Sequence, residues 1–327
     1  MDIDKIRKKN GFIRDMDGVD CDRSVISRRQ FLKAAAAGAA VGWMGNPAFL
    51  NAAEEPELAV ISGEPAAATR RALEVLGGIS RFVKPGQRVV IKPNMSFARS
   101  PDFAATTHPL VVAAAARACM EAGAREVLVL DHTLQRAELC LERSGIRDAC
   151  RKHAPGVHVL ALQDRKFFQE IKVPQGKVLS RVEVCRDLLD NAVLISIPVA
   201  KSHSSTGVSL GLKGLMGLIW DRGSFHYQFD IHQGIADLAT VIRPRLTILD
   251  ATRALASGGP GGPGDVRKPN LVVAGADPVA VDSYGVGIVP WYGQNFKGRQ
   301  VEHLLAAHQR GVGKIDVESL RIYRGTA

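Results

Sequence analysis

No stretch of this 327-residue chain is apolar enough for a permanent membrane span. Its longest weakly apolar run, Phe31 to about Ala40, falls far short of the ~20 residues such a helix needs. Aromatic side chains make up only 6% of the chain, and no Lys/Arg run has aromatics interleaved with it, which excludes the usual nucleic-acid surface. Cysteine is scarce and never arranged as C-x-x-C, so a thiolate-held iron–sulfur cluster or structural zinc is disfavoured. The chain also lacks a G-x-S-x-G elbow and an H-E-x-x-H pair, the marks of familiar serine hydrolases and zinc proteases.

What is present begins with Ser27-Arg28-Arg29-Gln30-Phe31-Leu32-Lys33, followed by an alanine-rich segment. Twin arginines before a short apolar run address the Tat translocase, which places the working protein in the periplasm or another extracytoplasmic space. Residues 1–53 read as this leader. Small residues at Ala48, Ala52 and Ala53 offer cleavage sites without a clean A-x-A triplet, so the leader is either removed or kept as an anchor, with transient or anchored membrane association. Residues 54–327 then form a single domain carrying 34 Lys/Arg against 27 Asp/Glu. That excess of +7 favours anionic small molecules or a membrane surface without specifying either. Cys140 and Cys150 could pair in an oxidising compartment, although both fall in a helical pattern.

Short Val/Ile/Leu runs recur at 89–91, 127–130, 157–162, 193–197, 246–249 and 271–274 and read as buried strands. Between them, 69–82, 109–122, 139–153, 232–242 and 301–310 place apolar residues three and four apart. This alternation predicts an α/β fold: one open, largely parallel sheet with helices on both faces. Polar groups follow the strands: Lys92-Pro93-Asn94, Asp131, Lys201 with His203, Asp250, and Asp277 with Asp282. Ligands bind outside the carboxyl edge of such sheets, so these residues could converge, although Asp131 or Asp277 alone could simply cap a helix. Thr107 is a further expected cap, for the helix that Pro109 opens.

The densest region, Lys201 to Asp250, holds Lys201, His203, Lys213, His226, His232, Asp237 and Asp250, interleaved with Gly207, Gly211, Gly214 and Gly217. Glycines between lysines can turn backbone N–H groups and point charges toward an anion. The order G-L-K-G-L-M-G is not a phosphate-binding Walker loop. His203, His226 and His232 invite a metal, iron, zinc or nickel, with Asp250 completing the set; acid–base or anion-binding roles explain the same residues equally well. Lys92 at a strand end pairs an anion or, desolvated, serves as a base or Schiff-base amine. The Gly258–Gly264 loop approaches a ligand with bare backbone, closes as a lid, or merely connects.

Several of these pieces occur in an order that resembles the domain-of-unknown-function 362 family: Lys92-Pro93-Asn94, Thr107-x-Pro109, Lys201-x-His203, Gly207-x-Ser209-Leu210-x-Leu212-Lys213-x-Leu215-Met216-Gly217, His232-x-x-Ile235-Ala236-Asp237-Leu238 and Asp277-Pro278-Val279-Ala280-Val281-Asp282. The likeness runs over roughly residues 57 to 310. It implies an α/β domain, joined in many relatives to a ferredoxin-like module with cysteine-bound clusters. Those cysteines are missing here, so any such electron transfer would need a separate ferredoxin-like partner. Gly214 stands where relatives commonly have Asn.

Two readings follow. The first is an exported redox or metal-assisted enzyme acting on a small anionic substrate, with Lys201, His203, Lys213 and Asp250 catalytic. Lys92, Asn94, Gly211, Gly214, Gly217 and Asp282 would bind the cofactor or anion, and His203, His226 and His232 would ligate the metal. The second is a non-catalytic periplasmic protein that binds or matures a cofactor or carboxylate through the same cluster.

Overall fold

Alternation decides the layers. Along Arg88–Pro93 and Glu126–Asp131, Val90, Leu128 and Leu130 enter one core, while Val89, Ile91, Val127 and Val129 enter the other. A strand buried on both faces must be apolar throughout, which is why these segments read as continuous Val/Ile/Leu runs. The computed structural model describes residues 55–327, and 54–327 form one compact unit. The leader, with its cleavage and anchor alternatives, lies outside the described residues.

The strands are β1 (Leu58–Ser62), β2 (Arg88–Pro93), β3 (Glu126–Asp131), β4 (His158–Ala161), β5 (Phe168–Lys172), β6 (Arg181–Cys185), β7 (Val193–Ile197), β8 (Val199–His203), β9 (Gly207–Val208), β10 (Leu246–Leu255), β11 (Val266–Arg267), β12 (Leu271–Gly275) and β13 (Ile322–Thr326). The main sheet runs β13-β1-β12-β10-β7-β2-β3-β4. From β10 to β4 every neighbour is parallel, as the sequence predicts. β12 is antiparallel to both β10 and β1, so the sheet is mixed. β5 and β6 form a separate antiparallel pair.

Helices Pro65–Val75, Pro109–Glu121, Ala137–Arg143 and Ile146–His153 cover one face; Ile231–Val241, Pro278–Val286 and Glu302–Gln309 cover the other. Two helix boundaries differ from expectation because glycines adopt the left-handed region, where a side chain is strained. Gly77 and Gly78 (φ +87° and +84°) end the first helix at Val75, leaving Ile79–Arg81 as a short 3-10 turn. Gly145 (φ +69°) splits the expected helix 139–153 in two. This break also separates the cysteines considered for a disulfide. Cys140 faces the Ser96 carbonyl, Cys150 packs among the helices of the other core, and all four described cysteines are free thiols.

Asp237, counted with the functional cluster in the sequence, is a structural anchor. It is wholly buried in Ile231–Val241, accepts the N–H groups of Lys177, Val178 and Leu179 at 2.8–3.0 Å, and pairs with the buried Arg310 at 3.0 Å. Removing one member of a buried ion pair strands the other charge, which typically costs about 3–5 kcal/mol. Asp237→Ala is therefore expected to lower the unfolding free energy by about that amount in urea titrations monitored by circular dichroism.

Candidate functional site

The parallel strands β2, β3, β7 and β8 all end at one edge and deliver their polar residues there. Lys92 at the end of β2 is 3% exposed and faces Asp131 of β3 at 3.1 Å; its ammonium also donates to the Pro93 carbonyl. Asp131 is not a helix cap. Its second oxygen accepts Met95 N–H and Ser96 Oγ, both at 2.9 Å, fixing the loop after β2. Lys201 on β8 is 1% exposed, donates to Asn94 Oδ1 at 3.1 Å and the Ala105 carbonyl at 2.7 Å, and lies 4.7 Å above the Phe97 ring. Burial is the main force lowering the pKa of both lysines; Asp131 opposes it at Lys92, and the charge of Lys213 adds to it at Lys201.

These groups open into a cleft of about 510 Å³. Lys92, Lys201, His203, Lys213, Arg222 and His226 bring the charge and imidazoles to its wall. Lys213 sits in the short helix Leu210–Gly214, oriented by Asp282, whose carboxylate accepts Gly211 N–H at 2.8 Å and Leu212 N–H at 2.7 Å. Burial, reinforced by Arg222 and Lys92, pushes the Lys213 amine down to about 8. Arg222 is tied to the His132 and Thr133 carbonyls at 2.7 and 3.2 Å.

His203 is positioned as a donor. Its Nδ1 accepts the Ser205 N–H at 3.1 Å, so the neutral ring carries its proton on Nε2. Burial, followed by the Lys213 and Lys201 charges, pushes its pKa down to about 3 and keeps it neutral. Metal-ligating histidines direct the opposite ring nitrogen, as a donor, to a carbonyl or carboxylate. Here that nitrogen faces an N–H, a tautomer that leaves Nε2 no lone pair for iron, zinc or nickel. His226 lies near, its ring 6.2 Å from His203 and inclined by 11°. His232 does not join them: it stacks on His303 at 5.9 Å and approaches Glu302 at 3.8 Å. Among the described residues no three His, Cys, Asp or Glu side chains assemble as a metal set.

Asp250 and Asp282, expected at the ligand, serve the backbone instead. β10 continues six residues past the expected run 246–249, to Leu255, so Asp250 lies inside the strand and outside the cleft lining. It accepts His108 N–H at 2.7 Å and Thr252 N–H at 3.0 Å. Asp277 stands at the end of the reversed strand β12, away from the shared edge, where it caps Pro278–Val286. Thr107 does not cap; His108 does, while Thr107 Oγ1 accepts Asn94 N–H and donates to the Ile197 carbonyl.

The glycines separate as well. Gly214 and Gly217 line the cleft, whereas Gly211 packs on Asp282. The Gly258–Gly264 loop forms part of the wall through Pro260, with Gly259 N–H donating to Ser202 Oγ at 3.0 Å. Arg222, Phe97, Leu134 and Tyr227 also line the cleft and are missing from the sequence-based set. Only position hints at three of them: Phe97 follows Lys92-Pro93-Asn94 by three residues, and Arg222 and Tyr227 lie inside the dense region 201–250.

Residues 89–287 match the family described as "Domain of unknown function (DUF362)", and residues 25–42 match the twin-arginine translocation signal. The chain belongs to the DUF362 family. Its signal directs it across the membrane to the periplasm, and no helix among the described residues is long and apolar enough to span a bilayer. It is similar to a thylakoid-associated protein of Synechocystis sp., 28% identical over 228 residues and 68% of each chain. Among solved structures it is similar to a Thermotoga maritima protein, 17% identical, with a TM-score of 0.40 over 58% of this chain and 51% of that one. It is also similar to the lactate racemase apoprotein of Thermoanaerobacterium thermosaccharolyticum, 13% identical, with a TM-score of 0.40 over 60% and 50%. The matched region thus spans about half the length of each solved structure.

The two cleft glycines that follow Lys213 differ in what surrounds them. A Cβ at Gly217 would overlap the Asp131 carboxylate and the Lys92 side chain, whereas one at Gly214 meets nothing within 4 Å. Overpacking of this kind typically costs about 1–3 kcal/mol. Gly217→Ala is expected to lose that much stability while Gly214→Ala stays within about 1 kcal/mol of the parent, compared by urea midpoint.

Proposed function

We propose that this exported domain binds a small oxyanion, a carboxylate or phosphate, in the lysine-lined cleft, with Lys213 as its principal counter-charge. The observation that carries the reading is how the cations are partnered. Lys92, Lys201 and Arg222 have donors committed to Asp131, Asn94 and main-chain carbonyls. The charges that act on Lys213 are those of Arg222 and Lys92, both positive. A half-buried ammonium among like charges is relieved by an incoming anion. His203 supports the same polarity, because its Nε2–H can donate to an oxygen.

This environment also weighs against a bare metal ion. Four cations surround the two neighbouring imidazoles, and the nearby carboxylate of Asp131 is engaged by Lys92 and the loop after β2. A divalent cation would add charge of the same sign, so iron, zinc or nickel would have to arrive with its own anionic ligand. A catalytic version of the proposal rests on the depressed Lys213 pKa: an amine that is partly neutral near pH 8 can accept a proton or attack an electrophilic carbon of the bound anion. The non-catalytic binding protein uses the same cleft without that step.

Sulfate tests the reading because its charge is constant across the relevant pH range. Its affinity requires protonated Lys213, so binding is expected to be flat below pH 8 and to weaken by up to about tenfold per unit above it. Lys213→Met should remove both most of the affinity and this pH dependence in isothermal titration. Sulfate binding that Lys213→Met leaves unchanged would remove the lysine from the site.

A further inference from the structure

The cleft is organised by depth, and this bears on what the anion is attached to. Its inner wall carries the nearly inaccessible Lys92, Lys201 and His203. Its lining also includes Leu134, 57% exposed, and Tyr227, 90% exposed, two of the six large hydrophobic side chains that the described residues leave in water. Phe97, Met216 and Pro260 extend the apolar lining. Scattered exposed apolar residues are ordinary, but two on the lining of one charged cleft form a local feature. A volume of about 510 Å³ lies within the ~300–1,000 Å³ typical of pockets for drug-sized ligands, far more than a bare oxyanion fills.

Resting on the anion-binding reading above, we propose that the ligand is an amphiphilic acid: an anionic head held by Lys213 and His203, carried on a flat apolar body that covers Leu134 and Tyr227. An inorganic oxyanion would leave both side chains in water. An apolar body removes them from it, and that burial adds affinity which the head alone lacks. The exposed ring of Tyr227, 6.5 Å from the His226 imidazole, offers a face on which a planar body can lie.

Methyl phosphate and phenyl phosphate separate the two parts, because they share a head and charge and differ only in the body. Titrated into the full-length protein, phenyl phosphate is expected to bind at least tenfold more tightly. A Leu134→Ser/Tyr227→Ser double variant is expected to reduce that preference below twofold while leaving methyl phosphate affinity unchanged. Both side chains are exposed, and an unchanged circular dichroism spectrum would verify the fold. Equal affinities in the parent protein, or a preference that survives the double variant, would overturn the proposal and leave the anion site intact; failure of both phosphates and of sulfate to bind would remove the anion site itself. Flotation with phosphatidylglycerol vesicles identifies the source of the head. Flotation that phenyl phosphate abolishes assigns it to a membrane lipid, and a phenyl preference without such flotation assigns it to a free amphiphile.

Discussion

Everything at the carboxyl edge depends on accommodating several positive charges out of water with one carboxylate close by. Lys92 and Lys201 are almost fully buried, and Asp131 faces Lys92 from the neighbouring strand. Burying an unpaired ammonium is expensive, so each is given fixed oxygen partners: Asp131 and a carbonyl for Lys92, an amide and a carbonyl for Lys201. The local architecture follows from these bonds. Asp131 holds Met95 and Ser96, Asn94 is joined to Thr107 in both directions, and Thr107 reaches the end of β7. The Lys92-Pro93-Asn94 and Thr107-x-Pro109 motifs are therefore two halves of one clamp around the buried lysines.

The acidic residues explain why the site looked larger in the sequence. Asp237, Asp250, Asp277 and Asp282 each accept two or more backbone N–H groups. A carboxylate can do this at a helix start, inside a bulged strand or across to a loop, and nothing in a one-dimensional pattern separates these uses from ligand binding. Asp282 is the instructive member. It is not among the residues that line the cleft, yet it holds the first turn of the helix that carries Lys213, so it positions the lysine from behind. Burial raises its pKa to about 7 against the pull of the two N–H groups, so this support titrates near neutrality.

Periodicity made the core legible. The central strands were readable because a sheet covered on both faces demands unbroken apolar runs, and β2, β3 and β7 supply them. β1 and β13, at and near the sheet edge, carry weaker patterns, and the direction of β12 depends on the path from β10 through β11, which no local signal encodes. That direction removed Asp277 from the shared edge. Among site residues, Lys92, Lys201 and His203 were legible because polar residues within or just after apolar strands need a reason, and Lys213 because it sits among glycines. Arg222, Leu134 and Tyr227 come from loops and short helical turns, where polar and apolar residues are equally ordinary, and only the folded chain brings them to the cleft. The three-histidine set failed on geometry: His232 belongs to a helix whose packing turns it toward His303.

If the proposed anion binds, the same electrostatics link its occupancy to stability. After burial, the positive charges of Arg222 and Lys92 both act on Lys213 and lower its pKa. On the proposed reading, an anion that enters the cleft would relieve this repulsion in the native state alone. By mass action a ligand present at a hundred times its dissociation constant would stabilise the fold by about 2.7 kcal/mol. For a chain carrying a Tat signal this has a direct bearing, because that route moves proteins already folded: anion bound in the cytoplasm would favour the folded form that the translocase accepts. The cation cluster would then serve the chain twice, as a recognition site outside the membrane and as a means of holding the fold together before export.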